Sequence, residues 1–188
     1  MGKLIGKTVA ITLAAIVGLF AVVFGLVTLI KPVAIADMLY NAGLNDAALS
    51  FYEMQYNKTG SAEDLGALVT RLDAEKGGVK ETEYAYALIF CDDFDSYVSS
   101  REKDFGGKEK TYEFFFDKYL LSLSVTGVSE YGVNNPVRRI LDEKGDVITD
   151  KNLKLMQAFL TGLKEKEENA ENDVLAEDLE RINSLLGE

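Results

Sequence analysis

The hydrophobic pattern of this chain has two parts. From Thr8 to Ile30, 23 consecutive residues carry no charge, and Lys7 and Lys31 bracket them. A helix of that length rises 1.5 Å per residue and spans roughly 30 Å, the thickness of a bilayer core. Beyond residue 31, apolar residues recur at spacings of three and four, which indicates amphipathic helices. The pattern therefore predicts a transmembrane helix followed by an all-α domain.

The length of the uncharged run favours a membrane anchor over a cleavable signal peptide. It is longer than the apolar core of a cleavable signal, which is about 7–15 residues. Against this, Ala34-Ile35-Ala36 matches a small-x-small cleavage pattern, so cleavage after Ala36 is the alternative. Lys3 and Lys7 precede the run, and basic flanks stay in the cytoplasm. We expect a single-pass cell-membrane protein with a cytoplasmic N-terminus.

This topology divides the chain. Residues 1–31 form the cytoplasmic stub and anchor, and residues 32–188 form one extracytoplasmic domain. Within residues 32–56, the apolar positions predict two helices joined by a tight turn. Ala42 and Gly43 end the first helix, and Asn45 or Asp46 is expected to cap the second. The apolar positions of the first helix are Ile35, Met38, Leu39 and Ala42. Those of the second helix are Ala48, Leu49, Tyr52 and Tyr56.

The string Gly-Leu-Asn-Asp-Ala-Ala-Leu-Ser-Phe-Tyr-Glu over residues 43–53 resembles a tetratricopeptide repeat. That repeat pairs two antiparallel helices, with Gly at the turn and Ala plus an aromatic residue in the second helix. Pro32 stands where the repeat has an aromatic residue. The resemblance implies a helical-hairpin, α-solenoid-like fold that binds other proteins. The matching residues are Ile35, Ala36 and Leu39 in the first helix, Gly43 at the turn, and Ala48 and Tyr52 in the second.

The pattern over residues 61–91 predicts a second helix pair, which is a degenerate version of the tetratricopeptide-like pair at 32–56. Gly77-Gly78 is expected to form its turn, and Ser61 with Asp64 matches a capping box. Asp150 is expected to cap a later helix, whose apolar face holds Leu153, Met156, Leu160 and Leu163. Further helices are predicted at 92–103, 111–126, 136–143, 150–168 and 173–186.

The helix at 111–126 is the most apolar part of the domain. It contains Phe114, Phe115, Phe116 and Tyr119. Four aromatic rings so close together would make a sticky patch if exposed, so at least three are expected to be mostly buried. Residues 121–126 alternate between apolar and polar positions, and a strand is the alternative there.

Charge and composition narrow the function. The chain has 188 residues and a net charge of −11, and it contains no histidine and one cysteine. After residue 36 the chain holds 17 basic and 31 acidic residues, a net charge of −14, which disfavours nucleic acid as a partner. The lack of histidine excludes His-based catalysis and His-ligated metals. Cys91 cannot form an intramolecular disulfide, and its apolar neighbours predict a small buried side chain.

No motif predicts a catalytic residue, a cofactor or a metal ion. The acidic run Asp92–Asp95 lacks the glycine and closing glutamate of an EF-hand loop. Ser100-Arg-Glu-Lys103 and Lys58-Thr59-Gly60 match two motifs of penicillin-binding proteins, but in reversed order. An exported domain without disulfides indicates a bacterial envelope protein.

One cluster predicts a binding loop, and it consists of Tyr131, Asn134, Asn135, Arg138 and Arg139. Adjacent arginines beside a glycine-containing loop and a helix N-terminus can bind anionic groups. The alternative is that the arginines pair with nearby acids.

The sequence therefore predicts a membrane-anchored binding or scaffold protein without catalysis. Its partner is expected to be a protein, itself membrane-bound, because the helical domain begins within a few residues of Ile30. One alternative is an accessory subunit that packs through Ala14, Gly18, Ala21 and Gly25 in the span. The other is a histidine-free hydrolase that works through carboxylates.

Overall fold

A computed structural model describes residues 12–14, 16–19, 21–22, 25–26, 31–72, 74–126, 135–166, 169 and 171–187, with the backbone alone for 74–78 and 125–126. Among these residues, no helix is both long enough and apolar enough to cross a membrane. Of the 23 residues of the predicted span, Thr8 to Ile30, 12 lie outside the described residues. The anchor therefore stays a prediction.

From residue 31 onward, the described residues form nine α-helices and one short 3₁₀ helix, and none of them lies in a strand. The all-α class is confirmed, and the helices pack in antiparallel pairs. The helices are α1 (Pro32–Asn41), α2 (Asn45–Thr59), α3 (Ala62–Arg71), α4 (Ala74–Ile89), α5 (Phe94–Phe105), α6 (Lys108–Thr126), α7 (Pro136–Lys144), the 3₁₀ helix (Gly145–Val147), α8 (Asp150–Lys164) and α9 (Asp173–Leu186). The strand alternative for residues 121–126 is wrong, because α6 continues to Thr126.

The chain divides into two compact units, Met1–Gly60 and Ser61–Glu188. In the first unit, α1 and α2 form a helical hairpin in which Ala36 and Ala48 are fully buried. The Tyr52 hydroxyl donates a hydrogen bond to the Asp37 carboxylate and so links the two helices.

The hairpin turn corrects one expectation. The Leu44 N–H donates to the Leu39 carbonyl at 2.9 Å and the Gly43 N–H donates to Tyr40 at 3.0 Å, which closes α1 as a Schellman motif. Gly43 has φ +77°, as this motif requires. The turn is so short that Leu44 also precedes α2 as its N-cap, without a side-chain cap. The predicted cap at Asn45 or Asp46 is therefore wrong.

In the second unit, α6 is the central helix and packs against α4, α5 and α8. Phe115, Phe116 and Tyr119 are buried and Phe114 is half-buried, which confirms the expectation of at least three buried rings. Tyr97 of α5 packs its ring against Phe115, with 5.5 Å between the ring centroids. These rings form the centre of the core.

The boundary between α3 and α4 differs from the prediction. Helix α3 ends at Arg71, and α4 runs straight through Gly77 and Gly78, so the turn predicted at those glycines is wrong. Each glycine costs a helix about 1 kcal/mol relative to alanine. Packing of α4 on α6 outweighs this cost. At that contact Lys118 Nζ lies 3.4 Å from the buried Glu81 carboxylate.

Helix caps explain where the other helices of this unit begin. Ser61 Oγ accepts the Asp64 N–H at 3.2 Å, which is one of the two hydrogen bonds of the predicted capping box. The cap of α8 is Thr149 and not Asp150, which is the first helical residue. Thr149 Oγ1 accepts the Asn152 N–H, and Asn152 Oδ1 accepts the Thr149 N–H, both at 3.3 Å. This reciprocal capping box satisfies two backbone donors, which Asp150 could not do from one position later.

Cys91 follows α4 and is half-buried, not fully buried as predicted. Its thiol donates to the Leu88 carbonyl at 3.0 Å. Burial, and then the neighbouring Asp93, raise the pKa of the thiol to about 12. The thiolate is therefore disfavoured at neutral pH, which makes Cys91 a poor nucleophile.

Candidate functional site

Helix α8 has two apolar faces. The predicted face is buried and consists of Leu153, Met156, Leu160 and Leu163. A second face is formed by residues spaced three, one and three positions apart, namely Leu155, Ala158, Phe159 and Gly162. On this second face the two large side chains are half-buried and the two small residues are exposed. The described helices therefore leave the second face partly uncovered.

Beside this face lies an open depression against the C-terminal half of α6, which we call the α6–α8 groove. It has a volume of about 320 Å³. Its lining among the described residues is mostly apolar and consists of Ser124, Leu155, Ala158, Phe159, Gly162, Leu163 and Lys166. One helical turn before Ser124, Leu121 is 46% exposed. A volume of about 300–1,000 Å³ with apolar walls is typical of sites that bind ligands or partner side chains.

Gly162 lines the groove at a point where the described chain leaves open space. A Cβ added at Gly162 would meet no described atom within 4 Å outside its own helix. At Gly66 of α3, by contrast, an added Cβ would overlap the ring of Tyr97. Glycine at 162 costs the helix about 1 kcal/mol relative to alanine. Packing within the described chain explains the glycine at 66 but gives no reason for the glycine at 162.

The opposite end of the α6–α8 seam is polar. We call Glu113, Asp117, Lys151 and Asn152 the Lys151 cluster. Lys151 Nζ lies 3.0 Å from Glu113 Oε1 and also contacts the Asp117 carboxylate. The hydrogen bond to Asp117 and, to a smaller extent, the one to Glu113 raise the pKa of Lys151. Asn152 Nδ2 donates to Asp117 Oδ1 at 2.8 Å. The cluster ties α6 to α8 at the end of the seam where α8 begins.

A depression of about 390 Å³ lies over this cluster, and its lining includes Glu113, Asp117 and Lys151. Glu113 and Asp117 are the paired acids that a carboxylate hydrolase would need. Here both carboxylates bind the protonated Lys151, which makes them a structural tie between helices. Among the described residues, no three His, Cys, Asp or Glu side chains are placed to hold a metal ion.

The predicted binding cluster is only partly described. Tyr131 and Asn134 lie outside the described residues. Asn135 caps α7, since its side-chain oxygen accepts the Val137 N–H at 2.8 Å. That bond gives Asn135 a structural role at the start of the helix.

The two arginines of this cluster form contacts within the protein. Arg138 donates to Glu177 of α9 at 2.9 Å. Arg139 donates to Glu143 at 2.7 Å and to the Tyr86 hydroxyl of α4 at 2.6 Å. Pairing with acids, the alternative interpretation, accounts for the contacts with Glu177 and Glu143. A ligand-binding role for the five residues stays a prediction.

The groove and the Lys151 cluster were not predicted from the sequence. A signal for the groove was available in the sequence. Leu155 and Phe159 are four residues apart, as are Ala158 and Gly162, and both pairs lie beside the helix face already assigned to the core. For the cluster, the spacing of Glu113 and Asp117 indicates only a shared helix face. Their common partner on α8 becomes visible only when the helices are packed together.

Comparison with known proteins gives no relative from which a function could be transferred: no protein-family model, no curated protein and no solved structure matches this chain.

Proposed function

We propose that this chain is a membrane-anchored, extracytoplasmic binding protein that docks a protein partner in the α6–α8 groove. The observation that carries the proposal is the uncovered apolar face of α8, in which Gly162 leaves space that the described chain does not use. Apolar, concave surfaces of this kind favour protein or small-molecule partners. The net charge of −14 after residue 36 disfavours nucleic acid.

The anchor in this proposal rests on the sequence. The uncharged run from Thr8 to Ile30 has the length of a span, and Lys3 and Lys7 favour a cytoplasmic N-terminus. A C-terminal alkaline phosphatase fusion should then be active, and a C-terminal green fluorescent protein fusion should be dark. The reverse pattern would refute the orientation, and a mature protein that begins at Asp37 would refute the anchor.

We also propose that the α1–α2 hairpin is a tetratricopeptide-like unit. Ala36 and Ala48 are fully buried, and Tyr52 is buried as well, as a close crossing of the two helices requires. Helix pairs of this kind serve as scaffolds and need no reactive groups. This agrees with a chain that contains no histidine.

The docking surface can be tested by site-specific photo-crosslinking of the full-length protein in membranes. A photoreactive residue at Ala158 should give a discrete adduct. The matched control is Thr161, which is also small and exposed on α8 but lies outside the groove lining. Equal labelling from Thr161, or no adduct from Ala158, would overturn the groove as the docking site.

A further inference from the structure

We propose that the occupant of the α6–α8 groove is a second copy of this chain, bound through an antiparallel, two-fold contact between the two α8 helices. This inference rests on the proposed binding function and names its partner. A two-fold contact uses the same patch on both copies, so the patch must be complementary to itself. The second face of α8 meets this condition in both shape and charge.

The shape argument comes from the order of side-chain sizes along α8. Leu155, Ala158, Phe159 and Gly162 alternate large, small, large, small. An antiparallel contact with its axis between Ala158 and Phe159 places Leu155 opposite Gly162 of the second copy. The same axis places Phe159 opposite Ala158. Each large side chain then faces a small one, which lets the two helices approach closely.

A parallel contact lacks this complementarity. It would place Phe159 against Phe159 and Gly162 against Gly162, so that large residues collide and small residues leave a gap. The order of the four residues therefore selects the antiparallel direction.

The charge argument uses Lys151 in the first turn of α8 and Lys166, which lies two residues after the end of that helix. Lys151 and Lys166 are equally far along the sequence, on opposite sides, from the axis between Ala158 and Phe159. The antiparallel contact therefore brings Lys166 of one copy to the Lys151 cluster of the other. That cluster contains two carboxylates and one ammonium group, a net charge of −1, and Lys166 is exposed at the groove. The contact occurs twice, once at each end of the interface.

Membrane anchoring suits an interface of this size. One helix face buries less than the roughly 1,000 Å² that stable association in solution usually needs. Two copies held in the same membrane meet at a much higher effective concentration. The test therefore uses the full-length protein in membranes.

The experiment measures proximity of two copies through a cysteine near the two-fold axis. In a Cys91→Ser background, Ala158→Cys should form a disulfide-linked dimer under mild oxidation, and Thr161→Cys should not. Ala158 lies next to the axis, so the two thiols come within reach of one another. A product with the mass of two copies supports the proposal.

A size-swap series then tests the register. Gly162→Leu opposes Leu155 with a second large side chain and should lower the yield of linked dimer at least about tenfold. Leu155→Ala leaves a gap and should also lower it. The double variant Leu155→Ala/Gly162→Leu places the small side chain at 155 and the large one at 162, so a large residue again faces a small one. The yield of linked dimer should then return to within about threefold of the starting value. Thermal unfolding confirms that each variant folds, since the described chain has open space at Gly162.

The outcomes separate the inference from the function on which it rests. A photo-adduct from Ala158 with a different protein, without linked dimer, would overturn the second copy as occupant and leave the binding function standing. The absence of any adduct from Ala158 would overturn both. Linked dimer that survives Gly162→Leu, or fails to return in the double variant, would overturn the antiparallel register.

Discussion

The core and the α6–α8 groove of this protein differ in how they use a glycine within a helix. Gly66 of α3 is buried, and the ring of Tyr97 occupies the space where a Cβ would lie. Gly162 of α8 is exposed, and no described atom lies near its missing side chain. The same residue type thus allows close packing inside the protein at one position and leaves an open surface at the other. The interior explains the first glycine, whereas no described residue packs against the second.

The aromatic residues show the same contrast. In the core, Phe94 lies edge-on to Phe115 with 6.2 Å between ring centroids, and both rings are fully buried. In the groove, Phe159 is half-buried and lines the open cavity. Rings packed on all sides hold the fold together, while a ring with one open side contributes to binding more than to stability.

The largest expected effect comes from removing a core ring. Phe116→Ala should lower the free energy of unfolding by about 3–5 kcal/mol, because it leaves a cavity among buried side chains. Phe159→Ala is the matched variant in the groove. It should lower the free energy of unfolding by less, about 1–2 kcal/mol, since this side chain is only partly buried. Urea unfolding of both variants measures the difference, and similar losses would remove the distinction between core and groove.

The two glycines should respond with opposite signs. Gly66→Ala should destabilise the protein by about 1–3 kcal/mol, because Tyr97 must move to make room. Gly162→Ala should stabilise it by about 0.5–1 kcal/mol through helix propensity alone. The measurement is the unfolding midpoint in urea at constant slope. Destabilisation by Gly162→Ala would mean that the chain itself packs against this position.

The polar end of the seam should depend more on Asn152 than on Lys151. Asn152→Ala removes half of the capping box and the hydrogen bond to Asp117, and should cost about 0.5–2 kcal/mol. Lys151 is 57% exposed, so Lys151→Ala should cost less than about 1 kcal/mol and less still in high salt. A larger loss for Lys151→Ala would mean that this exposed lysine stabilises the contact of α6 with α8 more than Asn152 does.

The last effect appears only at alkaline pH. Burial raises the pKa of Tyr97 to about 12 from an ordinary value of 10.0. The folded state thus holds this proton more tightly than the unfolded state, so the contribution to stability is complete below pH 10 and is lost between pH 10 and 12. Tyr97→Phe cannot ionise there and should lose less stability than the native protein over that interval. Parallel pH profiles of the unfolding midpoint would contradict this role.

The sequence by itself determined the all-α class, the buried rings of α6 and the buried face of α8. Each depends on residues a few positions apart, and helical periodicity places those residues on one face whatever lies opposite. The break between α3 and α4, the cap of α8 at Thr149 and the N-cap of α2 at Leu44 were mispredicted, because neighbouring helices or short connections decide them. Asn135, Arg138 and Arg139 were noticed as a cluster, but only the packed structure shows which groups they contact.

The groove marks the limit of sequence reasoning most clearly. Periodicity identifies Leu155 and Phe159 as apolar positions but cannot say whether another helix covers them. That depends on where α6 ends and how α8 lies against it, which are properties of the packed chain. The sequence therefore determined what the second face of α8 consists of, and only the tertiary structure decided that the described helices leave this face partly uncovered.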